Sequence, residues 1–318
     1  MLRVGHDEMG DVDRPSTLAA ALRRMAPGAR LVDVRELPGG MSAQITALDV
    51  DFPDGSRTVV VRQYGPKNIA ADPRPASTET TLLGSLRAAG IPVPAPLYAD
   101  DGTDLLGGPF CVVEFISADG PPADWSDAVA EQVVDVLTRL HRLPVTTVGT
   151  LLAPYADRID RWLAQPPEQP DEAMRESRIR TVLAENWPRR RELPSRILHG
   201  DFWPGNTMWA DGRLRSVIDW EDAAIGDPRS DLANLRLELT WAYGPDAAED
   251  ATTRYLDSVA DLGAGEPATD DLALWDLAAA SRPVGRLAEW GLDPATWEEF
   301  LRRYQDFVDR ALRQLEPR

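Results

Sequence analysis

The segment Ile197–Ala224, I-L-H-G-D-F-W-P-G-N-T-M-W-A-D-G-R-L-R-S-V-I-D-W-E-D-A-A, gathers carboxylates and an amide at spacings that can do chemistry. Thr207–Ala210 and Arg213–Ile218 are short β-prone runs separated by Asp211-Gly212, a two-residue hairpin turn signal. An antiparallel hairpin returns the chain to its start, so Asn206, before the first run, is expected beside Asp219, after the second. Carboxylate and amide oxygens converging there suit Mg²⁺, a hard cation that prefers oxygen ligands and water. Asp201 precedes Asn206 across the kinked Trp203-Pro204-Gly205, which leaves its carboxylate to act on a substrate.

Together these residues resemble the phosphoryl-transfer site of the aminoglycoside phosphotransferase/choline kinase family, relatives of the protein kinases. A protein-kinase catalytic loop reads H-R-D-x-x-x-x-N and is followed by a metal-binding Asp. Here His199-Gly200-Asp201 and Asn206 keep that spacing, Asp219 takes the later position, and Ile218-Asp219-Trp220-Glu221 replaces Asp-Phe-Gly. Gly226-Asp227-Pro228-Arg229-Ser230-Asp231-Leu232-Ala233 extends the match. The resemblance implies a bilobal, protein-kinase-like α+β fold, with a small, mostly antiparallel N-terminal lobe and a larger, mainly helical C-terminal lobe. It further implies transfer of the γ-phosphate of ATP or GTP to a hydroxyl of a small molecule, such as an aminoglycoside, a macrolide, an amino alcohol or a sugar. Asp201 would orient that hydroxyl and accept its proton, Asn206 and Asp219 would hold Mg²⁺, and His199 and Asp231 would support the catalytic loop.

Such a site needs elements to carry it. Ser16–Met25 has Leu18, Leu22 and Met25 at helical spacing, with Gly28 as a stop. Leu31–Leu37 and Ala43–Phe52 alternate like strands, and Asp54-Gly55 turns the chain into Arg57–Tyr64, with Val59-Val60-Val61 β-branched throughout. Thr78–Ala89 reads as a helix, and Val93–Tyr98 and Phe110–Ile116 as the last strands of the small sheet. Beyond Ser117 the character changes: Val129, Val133, Val136, Leu137 and Leu140 mark an amphipathic helix over Trp125–Arg142, and the chain is predominantly helical after Asp231. The expected lobes are residues 1–116, binding nucleotide, and 117–318, carrying catalysis and acceptor binding. Glu114, Phe115 and Ile116 then fall at the hinge, whose backbone meets the nucleotide base in kinases of this kind.

The phosphate contacts are expected from Pro38-Gly39-Gly40-Met41-Ser42, where Gly39, Gly40 and Ser42 let the backbone approach an anion closely. The family generally has a Lys on the third strand, and here Val59-Val60-Val61 leads into Arg62, which can grip phosphate bidentately. Lys67 is the alternative, but it follows Gly65-Pro66 and is expected outside the strand. Glu79 is expected to pair with Arg62, the competing account being an exposed first-turn Glu that favours the helix dipole. Asp222 and Asp227 are acidic neighbours, either supporting the site or merely solvated. Aromatic and acidic candidates for the acceptor are Glu238, Trp241, Glu289 and Trp290, although a Trp at helical spacing is more often core.

Composition narrows the rest. Three histidines and the single Cys111 make a His/Cys zinc site improbable, and Cys111 in an apolar run reads as a small buried residue. His141 ends an apolar helical face and reads as structural. Asp and Glu number 52 against 34 Lys and Arg, a formal charge of −18 that opposes nucleic acid and anionic membranes. That field could draw in a cationic acceptor, but solubility or adaptation to salt is the better explanation. The polar N-terminus and the lack of a long apolar run predict a cytoplasmic, soluble protein, and no motif fixes its oligomeric state. There is no G-x-x-x-x-G-K-[ST], G-x-G-x-x-G or G-x-S-x-G pattern. Two further readings stay open: a nucleotide-binding regulator with little transferase activity, and a metal-dependent phosphohydrolase built on the same carboxylates.

Overall fold

The computed structural model describes residues 14–37, 43–191, 193–260, 269–286 and 291–315. Two compact units emerge, the described residues of Met1–Arg87 with Pro94–Ile116, and those of Ala88–Val93 with Ser117–Arg318.

The first unit is a five-stranded antiparallel sheet with helices. Helix α1 (Arg14–Met25) leads into β1 (Arg30–Glu36), β2 (Ala43–Phe52) and β3 (Gly55–Tyr64). The short α2 (Pro66–Ala71) and α3 (Pro75–Ala88) follow, then β4 (Pro96–Asp100) and β5 (Phe110–Glu114), in spatial order β1-β2-β3-β5-β4. Gly55 makes the β2–β3 turn at φ +137°, a conformation that L side chains rarely adopt. Alternation along β3 sends Val59 and Val61 to one face, where they pack with Leu48, Phe110, Val112 and the Leu18 and Leu22 of α1. Arg62 and Tyr64 turn to the other face, towards α3. The α2 turn was not read from the sequence; Pro66 opens it, a residue whose fixed φ suits a first helical position. Lys67 lies on α2, outside the strand and exposed.

The second unit holds α4 (Asp127–Arg142), α5 (Ala156–Ala164), α6 (Glu176–Asn186), α7 (Arg229–Ala242), α8 (Pro245–Val259), α9 (Thr269–Ala280) and α10 (Pro294–Leu315). Between α6 and α7 run four short strands, β6 (Arg196–Leu198), β7 (Thr207–Ala210), β8 (Arg213–Val217) and β9 (Ala224–Gly226). They form two antiparallel pairs, β6–β9 and β7–β8. Buried side chains of α5, α6, α7, α9 and α10, among them Ile159, Leu183, Leu237, Leu277 and Val308, form the main core. Arg236 of α7 and Asp276 of α9 meet bidentately inside it, at 2.9 and 3.0 Å, so these two helices are locked by charge as well as by packing. The α+β, kinase-like organisation expected from the sequence is the one these units have. No described helix is long and apolar enough to cross a membrane.

Candidate active site

The β6–β9 pair sets the frame. Leu198 pairs with Ala224, which brings the residues after β6 against those before β9. His199-Gly200-Asp201 therefore starts beside Asp222-Ala223. Gly200 has φ +80°, and a Cβ placed on it would stand 1.9 Å from the Asp222 carbonyl oxygen. Within that frame β7 and β8 make the expected hairpin, turning through Asp211 at φ +52° and Gly212 at φ +67°. Two consecutive left-handed residues are the hairpin turn that matches strand twist. At the open end the Ile218 N–H donates to the Asn206 carbonyl at 2.9 Å, which places Asp219 next to Asn206 in the fold. Asp219 itself is left-handed, at φ +64° and ψ +61°. A non-glycine residue is held there only where its surroundings impose it, and such positions gather at functional sites.

Asp201 is fixed from several sides. Asn206 Nδ2 donates to its carboxylate Oδ2 at 3.1 Å and to its backbone carbonyl at 2.9 Å. Arg282 Nη2 donates to Oδ1 at 2.7 Å, and Asn234 Nδ2 approaches the same oxygen at 3.4 Å. With the Asn206 nitrogen committed to Asp201, only Oδ1 of that amide can serve a cation. That oxygen and the Asp219 carboxylate are hard oxygen donors, of the kind that could hold Mg²⁺. Among the described residues, no group of three His, Cys, Asp or Glu is placed to hold a metal.

The loop beneath is braced by buried polar groups. Asp231, on the first turn of α7, accepts from the backbone N–H of His199 at 2.7 Å and of Gly200 at 2.8 Å. His141 Nε2 stands 3.2 Å from the same carboxylate, and its Nδ1 2.6 Å from the Tyr255 hydroxyl. Burial alone would raise the Asp231 pKa, but the bond from His141 and the charges around it hold the carboxyl below its usual range. His199 Nε2 donates to the Ile218 carbonyl at 2.9 Å, and its Nδ1 accepts from the Asp201 N–H at 3.2 Å. Both ring nitrogens are thus used in holding backbone.

Residues that no sequence pattern marked complete the site. Arg282 follows α9 and binds Asp201 Oδ1, Asp222 Oδ2 at 3.0 Å and the Gly200 carbonyl. Asp222 also meets Arg158 of α5 at 3.2 Å. Burial pushes the Asp222 pKa up, but Arg282 and Arg158 outweigh it and hold the carboxyl below its usual range. Asp227, the other acidic neighbour, is instead committed to Arg229 at 2.6 Å.

Glu238 lies one helical turn past Asn234 on α7, half-buried, with its pKa pushed up to about 8 by burial first and by the charge of Asp201 second. In the unfolded chain that carboxyl releases its proton near 4.5, so between these values the folded state binds more protons and stability falls as pH rises. Glu238→Gln should therefore melt at a higher temperature than wild type at pH 8, and the gain should vanish below pH 4.5. Melting curves across pH 4–9 check this; a gain that is independent of pH would show that Glu238 does not titrate with folding.

In the first unit, Arg62 Nε lies 3.4 Å from Glu79 Oε2, both side chains being at most 13% exposed. The Tyr64 hydroxyl donates to the same oxygen at 2.7 Å and stands 3.2 Å from Cys111 Sγ. Helix α3 starts earlier than the sequence suggested, so Glu79 belongs to its second turn and is half-buried rather than an exposed first-turn carboxylate. Cys111 is fully buried, and burial pushes its thiol pKa up, which makes it inert. Glu114 donates its N–H to the Ala95 carbonyl and accepts the Ala95 N–H with its side chain, leaving Phe115 and Ile116 as the next residues of the segment. Trp241 packs on the C-terminal core with its ring edge-on to Phe300, 5.1 Å between centroids. Gly39, Gly40 and Ser42, like Glu289 and Trp290, lie outside the described residues.

A family model for the phosphotransferase enzyme family matches residues 33–272, most of both units. The chain belongs to that family. The resemblance read from the His199–Asn206 motif is thereby met. Acyl-CoA dehydrogenase family member 11 of Rattus norvegicus is 27% identical over 205 residues, 59% of this chain and 26% of that protein. The chain thus spans about a quarter of the length of that relative. Choline kinase LicA from Streptococcus pneumoniae superposes with a TM-score of 0.61 at 20% identity, covering 94% of this chain and 98% of that one. A thermostable mutant of aminoglycoside phosphotransferase APH(4)-Ia, in ternary complex with ADP and hygromycin B, gives 0.63 at 16%, covering 93% and 98%. Both likenesses concern the phosphotransferase fold.

Proposed function

We propose that this phosphotransferase-family chain moves the γ-phosphoryl group of ATP or GTP to a hydroxyl of a small molecule. The observation that carries the reading is the Asp201 carboxylate, held by Asn206 at the open end of a hairpin whose other strand delivers Asp219 in a left-handed conformation. Asp201 would meet the acceptor hydroxyl and take its proton. Asn206 Oδ1 and Asp219 would hold Mg²⁺, which supplies neutralising charge to the phosphates when bound. Arg62, oriented by Glu79 and Tyr64, would grip phosphate oxygens, and the Phe115–Ile116 backbone would meet the base. Catalysis is then mostly positioning and electrostatics, as is usual for phosphoryl transfer. A related fold holds ADP and hygromycin B in one complex, which supports a nucleotide and a small molecule as the two substrates.

The deciding experiment is a screen for nucleotide turnover against aminoglycosides, macrolides, amino alcohols and sugars, with product mass as the readout. Because Asp201 and Asp222 are paired with Arg282 and Arg158, the charge of −18 is not concentrated on the reacting carboxylate. Neutral acceptors therefore belong in the screen beside cationic ones. Phosphate release that never labels an acceptor would favour a phosphohydrolase, and nucleotide binding without either would favour a regulator. In calorimetry, ATP should bind more tightly with Mg²⁺ than without, and Asp219→Ala should remove most of that gain. Equal affinity with and without the metal in the wild-type protein would sink the metal assignment.

The cation in the first unit makes a separate prediction. Arg62→Ala should weaken nucleotide use and turnover together, since it removes the charge and leaves the half-buried Glu79 without its guanidinium. Arg62→Lys should keep part of the activity, because an ammonium retains the charge but not the bidentate fork. Lys67→Ala, at an exposed α2 position, should shift stability by no more than about 0.5 kcal/mol and leave kinetics unchanged. The reverse ranking in steady-state kinetics would move the phosphate contact to Lys67.

A further inference from the structure

We propose that Arg282 is the positioning residue of the Asp201 carboxylate, a guanidinium clamp that ties the catalytic loop to the turn following Asp219. The inference rests on the reading of Asp201 as the group that meets the acceptor hydroxyl.

The clamp is built from fixed parts. Arg282 sits two residues beyond α9, and its N–H donates to the Ala279 carbonyl at 3.0 Å, so the helix end defines where the side chain starts. Ala273, Leu277 and Ala280 of that helix are fully buried, which anchors it in the core. From there one guanidinium reaches three points: the Gly200 carbonyl, Asp201 Oδ1 at 2.7 Å and Asp222 Oδ2 at 3.0 Å. Asp222 is held in turn by Arg158, whose Nη2 lies 3.2 Å from its other carboxylate oxygen and 3.1 Å from its backbone carbonyl. The planar fork of Arg suits such a bridge, because its donors keep fixed directions that an ammonium lacks.

The contacts divide the Asp201 carboxylate between two jobs. Oδ1 is covered by Arg282 and Asn234, whereas Oδ2 receives Asn206 alone among the described side chains. Arg282 therefore fixes the rotamer and leaves the Oδ2 edge to accept a hydroxyl, without itself touching the acceptor. Losing the clamp should let the carboxylate rotate, which lowers kcat more than it affects nucleotide binding. Nothing in the local sequence announces this: Arg282 is 81 residues from Asp201 and stands in a plain Ala-Ser-Arg-Pro context.

The test uses the 318-residue chain with Mg-ATP and the best acceptor from the screen. Arg282→Gln should lower kcat about 10²-fold, the loss expected from a small misplacement of a reacting group, with the KM for ATP nearly unchanged. Arg282→Lys should recover part of kcat, and millimolar guanidinium should restore part of it to Arg282→Ala. A crystal structure of Arg282→Gln should show Asp201 in a new or mixed rotamer. Wild-type kcat in Arg282→Gln would overturn the inference. So would a loss of kcat that tracks the melting temperature and resists both Lys and guanidinium. If the wild-type protein labels no acceptor at all, the transferase reading fails by itself. The rotamer then decides the clamp, and an unmoved Asp201 in Arg282→Gln refutes it.

Discussion

Asp201→Asn is expected to lower turnover by about 10²–10⁴-fold, the range for losing a positioned general base. The amide is nearly the same shape, but the site does not treat it as neutral. Oδ1 faces the Arg282 and Asn234 nitrogens, and Oδ2 faces the Asn206 nitrogen, so every hydrogen-bond partner of the carboxylate is a donor. An Asn at 201 must turn its own NH₂ towards one of them. The charged Arg282 makes the Oδ1 side the costlier choice, so the NH₂ should face Asn206 and displace the amide proposed to hold the metal. Arg282 also loses one of its two carboxylates, and breaking a half-buried pair from one side leaves the partner's charge less well compensated. Asp201→Asn should therefore melt somewhat lower than wild type and bind Mg-ATP slightly less well, beyond its loss of kcat. Steady-state kinetics with melting curves will separate these effects; wild-type turnover in a folded variant would remove Asp201 from the chemistry.

What the sequence made legible was what is local. Asp211-Gly212 between two β-prone runs reports a turn, a turn fixes a hairpin, and a hairpin puts Asn206 beside Asp219. Strand alternation likewise sends Arg62 away from Val59 and Val61, to the face where α3 delivers Glu79. The second neighbours were not legible, because they come from distant helices whose side chains carry no periodic signature. Arg282, Arg158 and Asn234 reach the site only once α5, α7 and α9 have packed. Tyr64 reads as a strand residue, and only the fold aligns its hydroxyl with Glu79. The β6–β9 pair was missed for a related reason: three-residue strands are too short for alternation to show. That pair nevertheless sets where the His199–Asn206 loop begins. The His199-Gly200 backbone was recognisable by motif, whereas the reason for its glycine is purely spatial.

Gly200→Ala should be the most damaging glycine-to-alanine substitution among the described residues. Two costs add at this position. At φ +80° an alanine pays for the left-handed conformation, about 1–2 kcal/mol. Its Cβ would also stand 1.9 Å from the Asp222 carbonyl oxygen and 2.6 Å from the carbonyl carbon, where no flexible side chain can move aside. Relief requires the His199–Asn206 loop and the 220–222 turn to separate, and these are the two pieces that Arg282 bridges and that the β6–β9 pair holds in register. The expected result is a protein that fails to fold or, if it folds, one whose Asp201 is displaced and whose turnover drops by at least about 10²-fold. Gly212→Ala supplies the control. Gly212 has φ +67° with nothing within 4 Å of its added Cβ, so it should cost only the conformational part, about 1–2 kcal/mol, and leave kcat unchanged. Melting temperatures and kcat for the two variants, measured side by side, separate backbone conformation from collision. Equal stability of the two with normal kcat in both would mean that the loop and the turn can part without consequence, and the site would not depend on their contact.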